Sequence, residues 1–213
     1  MTDKPHNITR ILLAGDPDEM SRMPWPSVEP RALAILSLRD CEEQLRRVNR
    51  EPLRLVQAAK SAHLALQAAL IEALAGSANV GAYDDKLRAK YLAYFEASRD
   101  GGAAYPASDR VMSFNQLLAK AMEHPMEWSG RKLEVSEEEL AALEQLTFVR
   151  DRVEHPRPDS HIIAPPFITS TLPVALRLTL ELLDVCGHRY AENERSSVQA
   201  TVDAITTLCG QTT

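Results

Sequence analysis

The chain has 213 residues, enough for one hydrophobic core of ordinary size, and its 45% apolar and 25% charged residues are typical of a soluble globular protein. Its net charge of −6 argues against bulk, salt-driven binding to duplex nucleic acid, although a small basic cleft is compatible with it. The three cysteines, Cys41, Cys186 and Cys209, are scattered along the chain and have neither the pattern of a disulfide framework nor the spacing of metal ligands. We expect them to be buried thiols in a reducing cytosol.

Residues 1–27 contain four prolines, and we expect them to form an N-terminal arm or leader. Such a leader would lie on the domain, lie on a partner subunit, or be disordered. No basic-then-apolar signal peptide and no apolar run of roughly 18–20 residues is visible. The sequence therefore predicts a cytoplasmic protein without a membrane partner.

Helical spacing of apolar residues predicts the elements of the next part of the chain. Residues 29–48 are expected to form a first helix and residues 53–74 a second, for which Gly76 is a plausible C-cap. A shorter helix over 87–95 carries an aromatic stripe, which is more often core than a ligand pocket. Ser113 can cap a brief helix that follows.

The C-terminal half continues the helical pattern. Ser136 and Glu139 form a capping-box signature at the start of a further helix, which ends in the stretch FVRDRVEHPRP at residues 148–158. A proline-rich, extended connection is expected next, then helices over residues 172–190 and around Val198 to Cys209. The predicted fold is therefore an all-α bundle of about six helices, with residues 28–213 as a single domain.

Arg150 breaks the apolar pattern of the helix that begins at Ser136. At about 100° per residue, Arg150 falls between Leu143 and Leu146, where the stripe calls for a leucine. A charge on a core-facing stripe is costly unless it is paired or lines a wet cleft. The pattern therefore indicates either a functional arginine or a buried structural ion pair, for example with Glu154 four residues on.

His155 stands immediately before Pro156, which disfavours the α conformation for the histidine. We therefore expect His155 at or beyond the helix end, able to turn back toward Arg150, with Asp151 placed to orient its ring. The alternative is a histidine that only caps the helix and has no chemical role.

Residues 136–158 resemble the HEPN superfamily of small all-helical, typically dimeric domains. The resemblance lies in the order Arg150, Asp151, Arg152, Val153, Glu154, His155, an arginine and a histidine with four residues between them at a helix end. The proline-containing tail and the upstream segment AAKSAHLALQAALIEALAGSANVGA are similar to one bacterial branch of uncharacterised members, which would place a HEPN-like core at about residues 50–185. Asp151 stands where asparagine is the commoner residue.

The resemblance implies a homodimer that is either an endoribonuclease working without a metal or other cofactor, or a domain derived from such a ribonuclease. Histidine can move a proton at the ribose hydroxyl or the leaving oxygen, and arginine can hold the phosphate. Arg150, His155 and Asp151 would then be catalytic, and Arg152 and Arg157 would bind the substrate backbone. A cognate antitoxin-type protein is a further partner that the resemblance suggests.

A different class of function stays open. A non-catalytic helical dimer could bind a protein partner or a small ligand, with Arg150 in a structural ion pair. The remaining histidines have no companions at metal-ligand spacing, and His63 is expected to be a core histidine of the second helix. No glycine-rich phosphate loop or nucleophile elbow is present.

Overall fold

The computed structural model of the chain describes residues 28–98, 105–155, 158, 162–187 and 192–211, and within them it contains helices and no strand. This confirms the predicted all-α class. The helices are α1 (Pro30–Arg47), α2 (Arg54–Ala75), α3 (Asp85–Ser98), α4 (Phe114–Glu123), α5 (Glu137–Glu154), α6 (Pro165–Thr169), α7 (Leu172–Val185) and α8 (Glu192–Gln211). The predicted N-terminal arm, residues 1–27, lies outside the described residues.

Helix α2 is the centre of the bundle and packs against α1, α4, α5 and α7. More than half of its 22 residues are buried, and many of these are alanines, such as Ala58, Ala62 and Ala65. A helix that is apolar on most of its surface is stable only when neighbours cover it on several sides. The small side chains allow those neighbours to approach closely, so α2 provides the common surface on which the other helices are positioned.

The helix ends follow the local signals of the sequence. Gly76 ends α2 with φ of 67°, a left-handed conformation that glycine adopts without strain, as predicted. Ser136 and Glu139 form the predicted capping box, since each residue's backbone N–H donates to the other's side-chain oxygen, at 3.0 and 3.2 Å. Asp84 accepts a hydrogen bond from the backbone N–H of Leu87 at 2.8 Å, which fixes the first turn of α3.

Two segments differ from the prediction. Pro165 and Pro166, expected to be part of an extended connection, open the short helix α6, because the first turn of a helix needs no hydrogen bond from their missing N–H groups. Helix α7 ends at Val185, with Cys186 as its C-cap, and not near Tyr190. The described residues therefore hold eight helical segments, or seven if α6 and α7, separated by two residues, are taken as one.

The main apolar core is one cluster that reaches from Ala34 in α1 to Cys209 in α8. All three cysteines are buried as thiols that form no disulfide, as expected. A small second cluster consists of Val80, Leu87 and Tyr91, and no described residue of α3 belongs to the main core. Helix α3 is thus attached to the bundle through a separate set of contacts.

One stretch, Pro165–Val185, is long and apolar enough to meet the length and composition criteria of a membrane span. Of its most apolar window, 56% is buried inside the protein. Core helices of soluble proteins meet the same criteria, so this stretch does not bear on the predicted cytoplasmic location.

Candidate functional site

Arg150 lies in the last two turns of α5, on the border of the face that packs against the bundle. Leu143, Leu146 and Val149 are buried on that face, whereas the Arg150 side chain retains 22% of its exposure. The helical projection therefore identified the correct face of α5. The guanidinium is largely withdrawn from water, so its partners determine what it can do.

Two carboxylates of its own helix hold the Arg150 guanidinium. Its Nη1 lies 3.2 Å from Asp151 Oδ1 and 3.1 Å from Glu154 Oε2, where it donates a hydrogen bond. Glu154 also lies 3.8 Å from the Nζ of Lys60 on α2. Glu154 therefore links the two helices, and the ion pair that was the structural alternative for Arg150 is present.

His63 of α2 completes this group, which we call the charge cluster: Lys60, His63, Arg150, Asp151 and Glu154. The His63 side chain is buried, as predicted, and its ring lies 4.3 Å from that of Phe114. Burial lowers the pKa of the His63 imidazole to about 4; the positive charge of Arg150 adds to this effect and the negative charge of Glu154 opposes it. His63 is therefore neutral at physiological pH.

Two buried nitrogens of the charge cluster, His63 Nε2 and Arg150 Nε, have no hydrogen-bond partner among the described residues. Unsatisfied buried polar atoms are rare in folded proteins and cost stability. The pattern of α5 alone does not predict Lys60, which lies 3.8 Å from Glu154, or His63, whose pKa the charge of Arg150 lowers. Their three-residue spacing, which puts both on one face of α2, is the signal that could have paired them.

His155 is the C-cap of α5 and is exposed. Its φ of −125° and ψ of 71° lie outside the helical region, as expected before a proline. Its backbone N–H donates to the Asp151 carbonyl oxygen at 2.9 Å. No hydrogen bond or ion pair in the described part of the chain joins the His155 side chain to Arg150 or to Asp151.

Of the two arginines predicted to bind substrate, the structure describes only Arg152. The guanidinium carbon of Arg152 lies 5.0 Å from the ring centroid of Phe148, a cation–π distance, and Phe148 also contacts Phe167 edge-on. Arg157 lies outside the described residues. The structure thus brings Arg150 and Asp151 together and shows Arg152 packed along an aromatic ring. Among the described residues, His155 is joined to Asp151 only through a backbone hydrogen bond, and its side chain has no hydrogen bond or ion pair with Asp151 or Arg150.

An apolar groove runs between α4 and α5, with a volume of about 330 Å³. Glu123 and Glu144 lie at the groove, and its apolar lining consists of Phe114, Leu118, Ala119, Met122, Leu140 and Leu143. The volume is at the lower end of the range of small-molecule sites. Phe114 also touches His63, so the groove and the charge cluster share a wall.

Over the residues that the structure describes, no group of three or more histidine, cysteine, aspartate or glutamate side chains is arranged to hold a metal ion. Comparisons with protein-family models, with curated proteins and with solved structures found no match to this chain.

Proposed function

We propose that this chain is a non-catalytic helical module, in which Arg150 has a structural role and the protein acts by binding a small apolar ligand or a protein partner. The observation that carries this proposal is the pairing of the Arg150 guanidinium with Asp151 and Glu154 of its own helix. A catalytic arginine must direct its donors at a substrate phosphate. Here the same Nη1 is engaged by two carboxylates, whose negative charge also repels an incoming phosphate.

The charge cluster has a structural role at the contact between α2 and α5. Lys60 and Arg150 both contact Glu154, so one carboxylate holds α5 against α2 at the C-terminal end of α5. The pair that crosses between the helices is Lys60–Glu154, and Arg150 holds the Glu154 carboxylate from within α5. This supports an arginine that positions Glu154 for its contact with α2.

The groove between α4 and α5 supports the binding role. Its lining is mostly apolar, with Asn115, Glu123 and Glu144 as the polar members, which is the composition typical of a small-molecule site. A bulky side chain at Ala119, which is exposed and lines the groove, would occupy the space. Ala119→Trp is expected to abolish the fluorescence increase of the neutral apolar dye Nile red. Ala141→Trp, at an exposed position of α5 outside the groove lining, should leave it unchanged.

A cleavage assay on mixed RNA in EDTA tests the catalytic part of the proposal. The wild-type protein and the variants Arg150→Ala and His155→Ala are expected to leave the RNA intact. Metal-independent cleavage by the wild type that both substitutions abolish would contradict the proposal. It would instead support the ribonuclease suggested by the resemblance to HEPN domains.

That second function, a HEPN-like metal-independent endoribonuclease or a domain derived from one, has one favourable observation. Arg150, Asp151 and Arg152 lie in the last turns of α5 and His155 is its C-cap, and Asp151 and His155 are exposed there. In a homodimer a second copy could bring its own motif to the same end of the helix. RNA and a cognate antitoxin-type protein are partners under this second proposal only.

A further inference from the structure

Two carboxylates line the groove between α4 and α5, one on each helix. Glu123 of α4 and Glu144 of α5 are both exposed, so their charges are at the open side of the groove. Within the described part of the chain, neither side chain forms an ion pair or a hydrogen bond. Asn115, the other polar residue of the lining, is uncharged. The groove therefore combines a mostly apolar wall with two negative charges that no described cation neutralises.

Glu123 has an unfavourable position in its own helix. It is the last residue of α4, where the helix dipole carries partial negative charge and favours a cation. Lys120 lies in the same turn, but it lines a different cleft, together with Asp85 and Arg88, and forms no ion pair with Glu123 among the described residues. A local conflict of this kind is expected chiefly at functional sites. A cation bound in the groove would relieve it.

The charge cluster, which shares the Phe114 wall with the groove, adds no net positive charge to it. Its lysine and its arginine are balanced by its aspartate and its glutamate. The ring of His63, which lies 4.3 Å from that of Phe114, is neutral at physiological pH. Glu123 and Glu144 are therefore the uncompensated charges beside the apolar wall, and their sign favours a positively charged ligand.

We propose that the ligand of this groove is an amphiphilic organic cation, a small molecule with an apolar body and a protonated amine. The apolar body packs on Leu118, Met122 and Leu140, and the ammonium group pairs with the carboxylates of Glu123 and Glu144. The groove volume of about 330 Å³ suits a ligand of small-molecule size. This inference rests on the binding role proposed for the groove and adds the charge of the ligand.

Competition with Nile red at pH 7 measures the charge preference. Three naphthalene derivatives share one apolar body: naphthylmethylamine is cationic, naphthylmethanol is its neutral counterpart of similar shape, and naphthoic acid is anionic. Because two exposed ion pairs form only with the amine, we expect it to bind roughly five- to tenfold more tightly than the alcohol. The acid should bind most weakly, since both carboxylates repel it.

Glu123→Gln and Glu144→Gln remove the two charges and preserve the shape of the side chains. Each substitution should weaken binding of the amine roughly two- to fivefold and leave binding of the alcohol unchanged. The double variant should bind the two compounds equally. Glu96→Gln, at an exposed position of α3 outside the groove lining, makes the same change in net charge and should alter neither affinity.

Equal affinities of the wild type for the amine and the alcohol would overturn this inference. If Nile red still binds and Ala119→Trp still abolishes its binding, the binding role of the groove survives that result. A loss of amine affinity that Glu96→Gln reproduces would also overturn the inference, because the effect would then come from the net charge of the protein. Absence of Nile red binding to the wild type would contradict the binding role and the inference together. A homodimer in sedimentation velocity that Ala119→Trp dissociates would assign the groove to a second copy, again against the inference.

Discussion

The coupling between Arg150 and Glu154 can be measured with a double-mutant cycle. The variants are Arg150→Ala, Glu154→Ala and the double variant, and the interaction is the part of the destabilisation that is not additive. Arg47 and Glu43 on α1 offer an exposed control, since they form an ion pair with the same four-residue spacing in the reverse order along the chain. The two pairs differ in their surroundings, which is the property under test.

The expected magnitude follows from exposure and from shared partners. Exposed ion pairs with this spacing contribute roughly 0.3–0.5 kcal/mol, and this is the expected coupling of the control pair, whose arginine and glutamate side chains are 53% and 57% exposed. The Arg150 side chain is 22% exposed, so its ion pair is screened less by water. Solvent still reaches Glu154, which keeps the value well below that of a fully buried pair. We therefore expect a coupling of about 1 kcal/mol for Arg150 and Glu154.

Urea unfolding followed by circular dichroism gives the four free energies of unfolding in each cycle. At 1 M salt, where the Debye length is about 3 Å, the control coupling should vanish and the Arg150–Glu154 coupling should persist in part. A coupling for Arg150 and Glu154 no larger than that of the control would refute the argument that partial burial strengthens this pair. The structural role proposed for Arg150 would then lose its support.

Three further predictions concern the helix ends and the buried histidine. Ser136→Ala removes the acceptor for the Glu139 backbone N–H and should lower the free energy of unfolding by about 1 kcal/mol in urea titrations; an unchanged midpoint would contradict the capping role. Gly76→Ala should cost at least about 1 kcal/mol by the same measurement, because φ is positive there and the new Cβ would meet the Glu127 carboxylate; a stabilised variant would contradict this. The folded-state pKa of His63, about 4, is below its unfolded value of about 6.5, so only the unfolded chain gains this proton as the pH falls between them. The wild type should therefore lose up to about 3 kcal/mol relative to His63→Leu from pH 6.5 to pH 4, and parallel pH profiles for the two proteins would be the contrary result.

Local signals in the sequence were sufficient for much of the fold. The all-α class, the capping box at Ser136 and the glycine end of α2 depend on neighbouring residues in the chain, and the structure confirms them. The short helix α6 was missed because two consecutive prolines suggest an extended segment. Proline is tolerated in the first turn of a helix as well as in an extended segment. The helix is favoured here because it packs Ile168 into the core.

The candidate site was less accessible from the sequence. The helical projection gave the face of α5 on which Arg150 lies, but a projection does not say which helix covers that face. The ion pair of Lys60 with Glu154 and the effect of the Arg150 charge on His63 depend on how α2 and α5 cross, a property of the tertiary packing. The Asp151 side chain pairs with Arg150, whereas its carbonyl oxygen accepts a hydrogen bond from the backbone N–H of His155. Which partner the side chain takes depends on side-chain geometry, which residue spacing does not predict.

The separate apolar cluster of Val80, Leu87 and Tyr91 has a consequence for the motions of the protein. Because α3 shares no described core residue with the rest of the bundle, opening this cluster exposes α3 without breaking the packing around α2. Segments of this kind form their own cooperative unfolding unit, with an opening free energy below that of global unfolding. The backbone amides of α3 should then exchange with solvent deuterium while those of α2 are still protected. Such partial opening would expose Tyr91 and separate it from its stacked neighbour Tyr83, whose ring centroid lies 4.9 Å away.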